Sequence, residues 1–214
     1  CSIPYIFGNT LGSVENGLAP CGLPANMDIE SKVGTVYDIN IKEKIAYYND
    51  NEISFDKLVF ATGSTPFIHD SLKHALKLEG VFTIPKNIEI IKKLKNYSLD
   101  KQNIVIVGSG FIGIEIATEF AGIGKNVTVV GGSEFILNRA FDSDIAKEAQ
   151  TIVEKLGVTY IGSDRVVEIV DKNSDNTVNG VQLKSGRIVD ADIVILATGY
   201  KPNTKLAEKA GVSL

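Results

Sequence analysis

The feature that most constrains the fold is the stretch from Asn103 to Gly132, which reads NIVIVGSGFIGIEIATEFAGIGKNVTVVGG. A short apolar run is followed by a glycine-rich turn, and Ile112, Ile116 and Phe120 then recur with the period of a helix. Gly122 and Gly124 end that helix before a second apolar run begins. The stretch therefore predicts a strand–helix–strand unit whose two strands are parallel neighbours in an open sheet.

The turn in this unit carries the pattern G-x-G-x-x-G. Gly108 permits the tight turn, Gly110 lets a pyrophosphate approach the backbone, and Gly113 lets the helix pack closely on the strand. The free N–H groups and the positive dipole end of the helix attract phosphate. Because the motif follows a strand and opens a helix, it predicts a dinucleotide site rather than a turn that binds nothing. The predicted contacts are Gly108, Ser109, Gly110, Phe111, Ile112 and Gly113.

The end of the second strand determines how the ribose of a dinucleotide is bound. An acidic residue there favours NADH, and a basic residue accommodates the 2′-phosphate of NADPH. In this chain the position is Gly131, with Ser133 and Glu134 slightly further along and Arg139 as the first arginine. Gly131 and Ser133 are candidate contacts, and the choice between NADH and NADPH stays open.

The remaining patterns extend the parallel sheet and add smaller elements. The fold class is α/β, with a parallel sheet, helices and an antiparallel β-meander. The predicted elements are a hairpin in VGTVYDINIKEKIAYYN, a buried strand in DKLVFATGSTP, a connector LEGVFTIPK, a helix from Pro85 through Leu94, a helix from about Ser143 to Leu156, a strand at Val158 to Ile161, a meander from Arg165 to Val189, and a buried strand in ADIVILATGYKPN.

Composition excludes several classes of protein. The net charge is −4 with no basic stripe, which argues against a nucleic-acid surface. No apolar run approaches the roughly 20 residues that span a bilayer. We therefore expect no membrane association, and we expect a cytoplasmic location. Two cysteines and two histidines are too few for a structural metal site.

Four landmarks together resemble the pyridine nucleotide–disulfide oxidoreductase family. They are CSIPYIFG, DKLVFATGSTP, IVIVGSGFIGIEIA and ADIVILATGYKPN, in this order over nearly the whole chain. The resemblance implies a Rossmann-like FAD/NAD(P)-binding fold in which an NAD(P)H domain interrupts an FAD domain. It also implies that the chain is an internal fragment. The expected division is residues 1–78 as part of the FAD domain, 79–202 as the NAD(P)H domain and 203–214 as the return to the FAD domain.

The resemblance is strongest to the single-cysteine subgroup, which comprises NADH oxidases, NADH peroxidases and coenzyme A–disulfide reductases. These enzymes use one redox cysteine in a C-x-x-P-Y context, and Cys1 with Pro4 and Tyr5 fits it. Cys21 begins a similar tetrad that is followed by Ala25 instead of tyrosine, so a structural thiol is the favoured interpretation there. Cys1 is the predicted catalytic residue, and in the family such a thiolate cycles as a mixed disulfide or a sulfenic acid.

Other site residues follow from the same resemblance. Phe111 takes the place of an aromatic residue that covers the nicotinamide pocket, and Glu115 matches an acid that faces the junction of nicotinamide and flavin. Core packing for Phe111 and Ile112, and an exposed helix charge for Glu115, are the alternatives. Each Thr-Gly turn marks a crossing near the flavin domain. The residues implied at these turns are Ala61, Thr62, Gly63, Ser64 and Gly199.

The function implied is an FAD-dependent NAD(P)H oxidoreductase. Its electrons would pass through the flavin and the redox cysteine to a disulfide such as coenzyme A disulfide, or to oxygen or peroxide. The alternative is a nucleotide-binding module without flavin. A third possibility, a ferredoxin- or rubredoxin-type reductase without the cysteine, is disfavoured by the CSIPY segment. The resemblance also implies a small-molecule substrate and a homodimer for the full-length protein.

Overall fold

A computed structural model describes residues 2–17 and 29–213 of the chain. The strands are β1 (Val36–Asn40), β2 (Ile45–Tyr48), β3 (Asn51–Ser54), β4 (Ser64–Pro66), β5 (Val81–Thr83), β6 (Asn103–Val107), β7 (Asn126–Val130), β8 (Val158–Ile161), β9 (Val166–Val170), β10 (Gly180–Leu183), β11 (Ile188–Asp190), β12 (Ile193–Leu196) and β13 (Tyr200–Pro202). The helices are α1 (Val14–Gly17), α2 (Ile88–Tyr97), α3 (Phe111–Gly122), α4 (Ser143–Lys155) and α5 (Lys205–Lys209), with 3₁₀ helices at Ile3–Ile6 and Asp70–Lys77.

The described residues form two compact units, divided at residues 65/66 and 199/200. The first unit holds residues 2–17 and 66–199, and the second holds 29–65 and 200–213. Residues 66–78 therefore pack with the parallel sheet. The division at residues 78 and 202 concerns which nucleotide each part binds, and it stays a prediction.

The first unit is built on a five-stranded parallel sheet in the order β5-β12-β6-β7-β8. After β6 the chain continues to β7 on one side, and it returns later as β12 on the other side. The strand order therefore reverses direction at β6. In an open α/β sheet such a reversal leaves a crevice beyond the carboxyl ends of the strands, where ligands bind.

The two faces of the sheet are covered differently. Ile104 and Ile106 of β6 lie in a cluster with apolar residues of α2, α3 and α4, whereas Val105 and Val107 lie in a cluster with the antiparallel sheet β11-β10-β9 and the second 3₁₀ helix. Neighbouring residues of a strand point to opposite faces, which accounts for this alternation. Because both faces are covered, β6 and β12 read as continuous apolar runs.

Most predicted elements of this unit are confirmed, including α3, α4, β8, β12 and the antiparallel meander. The helix expected from Pro85 begins instead at Ile88. Asn87 caps it, because its side-chain oxygen accepts hydrogen bonds from the backbone N–H groups of Glu89 and Ile90 at 3.0 and 3.2 Å. The predicted connector before it contains the edge strand β5, whose three residues are too few to show a period.

The second unit contains an antiparallel sheet, β1-β2-β3, and the pair β13-β4. The predicted hairpin is confirmed as β1 and β2. The buried strand predicted in DKLVFATGSTP is wrong: residues 57–63 form no strand, and Val59 is 84% exposed. The physical reason is that none of the described strands lies alongside to pair with this segment, so its apolar side chains are not covered.

The turn at the end of that segment is held by Asn203. Its backbone N–H donates to the Gly63 carbonyl at 3.0 Å, and its side-chain amide donates to the Thr62 carbonyl at 2.9 Å. The hydroxyl of Thr62 donates to the Asn203 carbonyl at 2.6 Å, and Gly63 has a positive φ of 70°. The Thr62–Gly63 turn is therefore a defined structure although it is exposed.

Candidate functional site

A cleft of about 1030 Å³ opens at the carboxyl ends of β6, β7 and β12, where the strand order reverses. Pockets of this size hold molecules as large as a dinucleotide. Among the described residues, the cleft is lined by Phe67, His69, Ser71, Leu72, Val107, Gly108, Ser109, Gly110, Phe111, Val130, Gly131, Gly132, Ser133, Leu137, Asn138, Arg139, Ala140, Asp164, Arg165, Val166, Val167, Lys184, Ala197, Thr198 and Gly199.

Two glycines of the turn are required by the protein's own packing. Gly108 has a φ of 118°, and a Cβ added to it would lie 2.3 Å from the Ala197 carbonyl oxygen. A Cβ on Gly113 would lie 2.2 Å from the Gly108 carbonyl oxygen. These distances are too short for any side chain, so the two glycines let β6, β12 and α3 approach each other closely.

Gly110 is different, because no neighbouring atom would clash with a side chain there. Its backbone is extended, with φ −82° and ψ −179°, and an added Cβ would meet no heavy atom within 4 Å. Gly110 is exposed at the cleft and stands immediately before the first residue of α3. The first N–H groups of a helix have no partner within the helix and attract phosphate. The turn therefore fits a pyrophosphate that lies where a side chain would otherwise stand.

We expect Gly108→Ala to destabilise the protein by about 3 kcal/mol, because it combines backbone strain with a clash against Ala197. The midpoint of thermal unfolding should fall by about 6–12 °C. Gly124→Ala is the matched control, since Gly124 also has a positive φ, of 81°, but no neighbour within 4 Å of the added Cβ. That control should cost only about 1–2 kcal/mol. Equal losses in the two variants, measured by circular dichroism, would contradict the close contact at Gly108.

The end of β7 is closed by two side chains. A Cβ on Gly131 would lie 2.5 Å from Ser109 Oγ and 2.6 Å from Tyr160 Oη. The Tyr160 hydroxyl donates to the Ser133 carbonyl at 2.8 Å, and burial raises the pKa of this half-buried phenol. The place that an acidic residue would take in an NADH site is therefore filled by Ser109 and Tyr160.

Phe111 lies at the mouth of the cleft and is 54% exposed. Its ring packs edge-on against Phe141, with centroids 5.8 Å apart and planes at 81°. Ile112, by contrast, is half-buried and packs against the core, and it does not line the cleft. The structure therefore gives Ile112 a packing role, and it leaves the Phe111 ring at the surface of the cleft.

Glu115 lies on α3 and contacts the N-terminal segment rather than the cleft. Its carboxylate accepts a hydrogen bond from the Tyr5 hydroxyl at 3.3 Å, and its negative charge raises the pKa of Tyr5. Glu115 is half-buried and hydrogen-bonded, and thus differs from the alternative of an exposed helix charge. Its role toward a nicotinamide stays a prediction.

The segment that follows Cys1 packs on α3. The ring of Phe7 stacks on that of Phe120, with centroids 5.2 Å apart, and the hydroxyl of Thr10 bonds to Glu119. Lys95 donates from its ammonium group to the carbonyls of Ile6 and Gly12 at 2.6 and 2.5 Å. Residues 2–12 are thereby held against α2 and α3.

Cys1 and Cys21 lie outside the described residues. The segment from Ala61 to Ser64 belongs to the second unit and is not among the described residues that line the cleft, whereas Gly199 lines it.

Sequence reasoning missed part of the cleft wall. Phe67 and Thr198 form one side, where the Phe67 N–H donates to the Gly199 carbonyl at 2.8 Å and the Thr198 hydroxyl donates to the Phe67 carbonyl at 2.5 Å. Arg139, Arg165 and Lys184 were also missed as cleft residues. A signal existed for the arginines, because the chain has only three of them and this residue type binds phosphate.

Two kinds of site are not found in the part of the chain that the structure describes. Residues 2–17 and 29–213 contain no group of three or more potential metal ligands. Within the same residues, no helix combines the length and the apolar character needed to span a bilayer.

Comparison with known proteins places the chain among oxidoreductases. It is 33% identical to an NADH oxidase of Methanocaldococcus jannaschii over 100% of this chain and 48% of that protein. It is 37% identical to an NAD(P)H coenzyme A polysulfide/persulfide reductase of Pyrococcus horikoshii over 77% of this chain and 36% of that protein. The chain thus spans half or less of the length of these curated relatives.

The fold agrees with this placement. The structure of an NAD-dependent persulfide reductase from A. fulgidus matches with a TM-score of 0.81 and 26% identity, over 100% of this chain and 41% of that one. The sequence pattern of the pyridine nucleotide-disulphide oxidoreductases, whose members depend on FAD and NAD(P)H, matches residues 23–214. The chain therefore belongs to the pyridine nucleotide-disulphide oxidoreductase family.

Proposed function

We propose that the whole protein is an FAD-dependent NAD(P)H oxidoreductase and that the cleft of this chain binds its NAD(P)H. The observation that carries the proposal is Gly110, which has open space around the position of a Cβ at the N-terminus of α3 in a cleft of about 1030 Å³. Bound nicotinamide and flavin would supply two-electron transfer.

In this proposal the residues of the cleft, together with Glu115 on α3, bind and orient the nucleotide. The backbone N–H groups that follow Gly108 hold the pyrophosphate, and the dipole of α3 favours its negative charge. The exposed ring of Phe111 covers the nicotinamide end and excludes water from it. Glu115 orients that end of α3 through its hydrogen bond with Tyr5, which also fixes the segment that follows Cys1.

For the electron acceptor, we propose a disulfide or polysulfide, with oxygen or peroxide as the alternatives. The relatives support this range, since one is named an NADH oxidase and another a coenzyme A polysulfide/persulfide reductase. In this proposal Cys1 is the redox residue, acting as a thiolate. Small-molecule substrates, a homodimer and a cytoplasmic location belong to the same proposal, on the resemblance alone.

A second candidate is a nucleotide-binding module without flavin. It is favoured by the exposure of Ala61, Thr62 and Gly63, the residues proposed to touch FAD.

The test is the reaction of the purified whole protein with NAD(P)H in the absence of oxygen. The proposal predicts a yellow protein whose visible flavin absorption is bleached by up to two equivalents of the reduced nucleotide, one for the flavin and one for an oxidised Cys1. Addition of a disulfide or polysulfide should restore the colour. A colourless protein that still binds NAD(P)H would support the flavin-free module and overturn the enzyme proposal.

A further inference from the structure

We propose that the cleft contains a 2′-phosphate site formed by Arg139, Arg165 and Lys184 beside the end of β7, so that the protein prefers NADPH to NADH. This inference rests on the proposed function, because it concerns the adenosine end of the same nucleotide. It goes further in naming which of the two coenzymes is bound and which side chains distinguish them.

The first observation is that an acidic residue does not fit where an NADH site would have one. Ser109 and Tyr160 occupy the space into which a side chain at Gly131 would extend. Glu134, the next acidic residue along the chain, is exposed and is not among the residues that line the cleft. The one carboxylate among the described lining residues is Asp164, which follows β8 and already accepts hydrogen bonds from Ser185 and from the backbone N–H of Arg165. The residues that directly follow β7 therefore bring no carboxylate into the cleft to accept a hydrogen bond from a ribose 2′-hydroxyl or to repel a 2′-phosphate.

The second observation is the distribution of arginine. The chain has 22 lysines and arginines, of which three are arginines. Arg139 and Arg165 line the cleft, and Arg187 lines a neighbouring depression of about 410 Å³. The planar guanidinium group matches the oxygens of a phosphate with two parallel hydrogen bonds, which lysine does not do. Two of the three arginines, the residue type best suited to phosphate, thus line the cleft.

The third observation is the local charge. The chain has a net charge of −4, yet the described lining of the cleft has three cationic side chains, Arg139, Arg165 and Lys184, and one carboxylate, Asp164. None of the ion pairs among the described residues involves these three cations. The carboxylate of Asp164 accepts hydrogen bonds from the Ser185 hydroxyl at 2.5 Å and from the backbone N–H of Arg165 at 2.8 Å, so it does not pair with the Arg165 guanidinium. The positive charge is therefore left for a ligand.

The backbone places these cations beside the end of β7. The Asp164 N–H donates to the Gly131 carbonyl at 3.3 Å, and the Lys184 N–H donates to the Arg165 carbonyl at 2.9 Å. On the other side, the Leu137 N–H donates to the Ser109 carbonyl at 2.9 Å, which anchors the turn that carries Arg139 to the glycine motif. The end of this strand is where a Rossmann fold binds the adenosine ribose.

The experiment compares ligands that differ only in the 2′-phosphate. Calorimetric titration of the whole protein with NADPH and NADH, and with adenosine 2′,5′-bisphosphate and 5′-AMP, isolates the contribution of that group. We expect the phosphorylated member of each pair to bind at least about tenfold more tightly, as for charge-assisted hydrogen bonds. Raising the salt concentration should weaken NADPH binding more than NADH binding, because the contact is between charges.

Two variants test the named side chains. The double variant Arg139→Gln with Arg165→Gln should remove the preference for NADPH while changing NADH affinity by less than about twofold. Each single variant, Arg139→Gln and Arg165→Gln, is compared with Arg187→Gln, which also removes one positive charge but from the neighbouring depression. Arg187→Gln should keep the preference. If Arg187→Gln lowers the preference as much as the single variants do, general charge rather than a site is responsible, and the inference is overturned.

Gly132 offers a test in the opposite direction. It lines the cleft, and an added Cβ there would meet no heavy atom within 4 Å, so a side chain fits at this position although none fits at Gly131. Gly132→Asp should repel the 2′-phosphate and lower NADPH affinity at least about tenfold, whereas Gly132→Asn, of the same shape without charge, should keep the preference.

The outcomes separate this inference from the proposed function. Tighter binding of NADH than NADPH by the unaltered protein would overturn the 2′-phosphate site and leave the proposed function standing. Failure of both coenzymes to bind would overturn both. A preference for NADPH that survives the double variant would show that other residues read the phosphate, and would overturn the assignment to Arg139 and Arg165.

Discussion

Gly110→Ala is expected to weaken NAD(P)H binding at least about a hundredfold while leaving the fold intact. The added methyl group would enter the space above the turn, where the pyrophosphate approaches the backbone. About two hydrogen bonds from N–H groups to a charged oxygen would be lost, each worth about 1.5–3 kcal/mol. The measurement is calorimetric titration with NADPH and NADH.

The stability of the same variant is the other half of this prediction. No heavy atom lies within 4 Å of the added Cβ, and the backbone at Gly110 is extended. The free energy of unfolding should therefore change by no more than about 1 kcal/mol. Gly122→Ala at the other end of α3 is the matched control, since its Cβ also meets no neighbour. The control should bind normally. Unchanged nucleotide affinity in Gly110→Ala would refute the role assigned to this glycine.

Cys1→Ser is expected to reduce turnover with disulfide or polysulfide substrates by at least about a thousandfold, because a serine hydroxyl does not supply the thiolate that attacks sulfur. Reduction of the flavin by NAD(P)H should persist, since that step does not use the thiol. Rapid-mixing absorbance measurements on the whole protein separate the two steps.

Cys21→Ser is the matched control for this change. Its cysteine begins the tetrad Cys-Gly-Leu-Pro, which resembles the tetrad at Cys1 but lacks the following tyrosine. The control should retain disulfide reduction. Full activity in Cys1→Ser together with its loss in Cys21→Ser would transfer the redox role to Cys21.

The parallel sheet and its glycine turn were predictable because their patterns report local physics. A strand buried on both faces is a continuous apolar run, as in β6 and β12, and α3 repeats its apolar residues with a helical period. The turn between β6 and α3 has few alternatives, since Gly108 and Gly113 are forced by contacts shorter than any side chain allows.

The predictions that were wrong or incomplete concern features that depend on contacts between distant parts of the chain. Residues 57–63 are as apolar in sequence as a buried strand, but a strand forms only where a neighbouring strand supplies hydrogen-bond partners, and local sequence does not reveal that neighbour. The same limit applies to the cleft wall. Hydrogen bonds between segments distant in sequence, which no motif encodes, bring Arg139 to the glycine turn and Arg165 to the end of β7.

The three glycines of the motif have different roles, and only the structure distinguishes them. The pattern does not distinguish the three glycines. A side chain at Gly108 or Gly113 would clash with backbone atoms of the protein, whereas a side chain at Gly110 would extend into open space. Substitutions at the first two should therefore act on stability, and substitution at the third should act on binding.

The central claim, that this cleft binds the reduced nucleotide at its glycine turn, is tested most directly by a crystal structure of the protein with NADPH bound. In that structure the pyrophosphate should lie within hydrogen-bond distance of the backbone N–H groups at the start of α3, above Gly110, with the ribose toward Gly131. A nucleotide bound outside this cleft, or one whose pyrophosphate makes no contact with the turn, would contradict it.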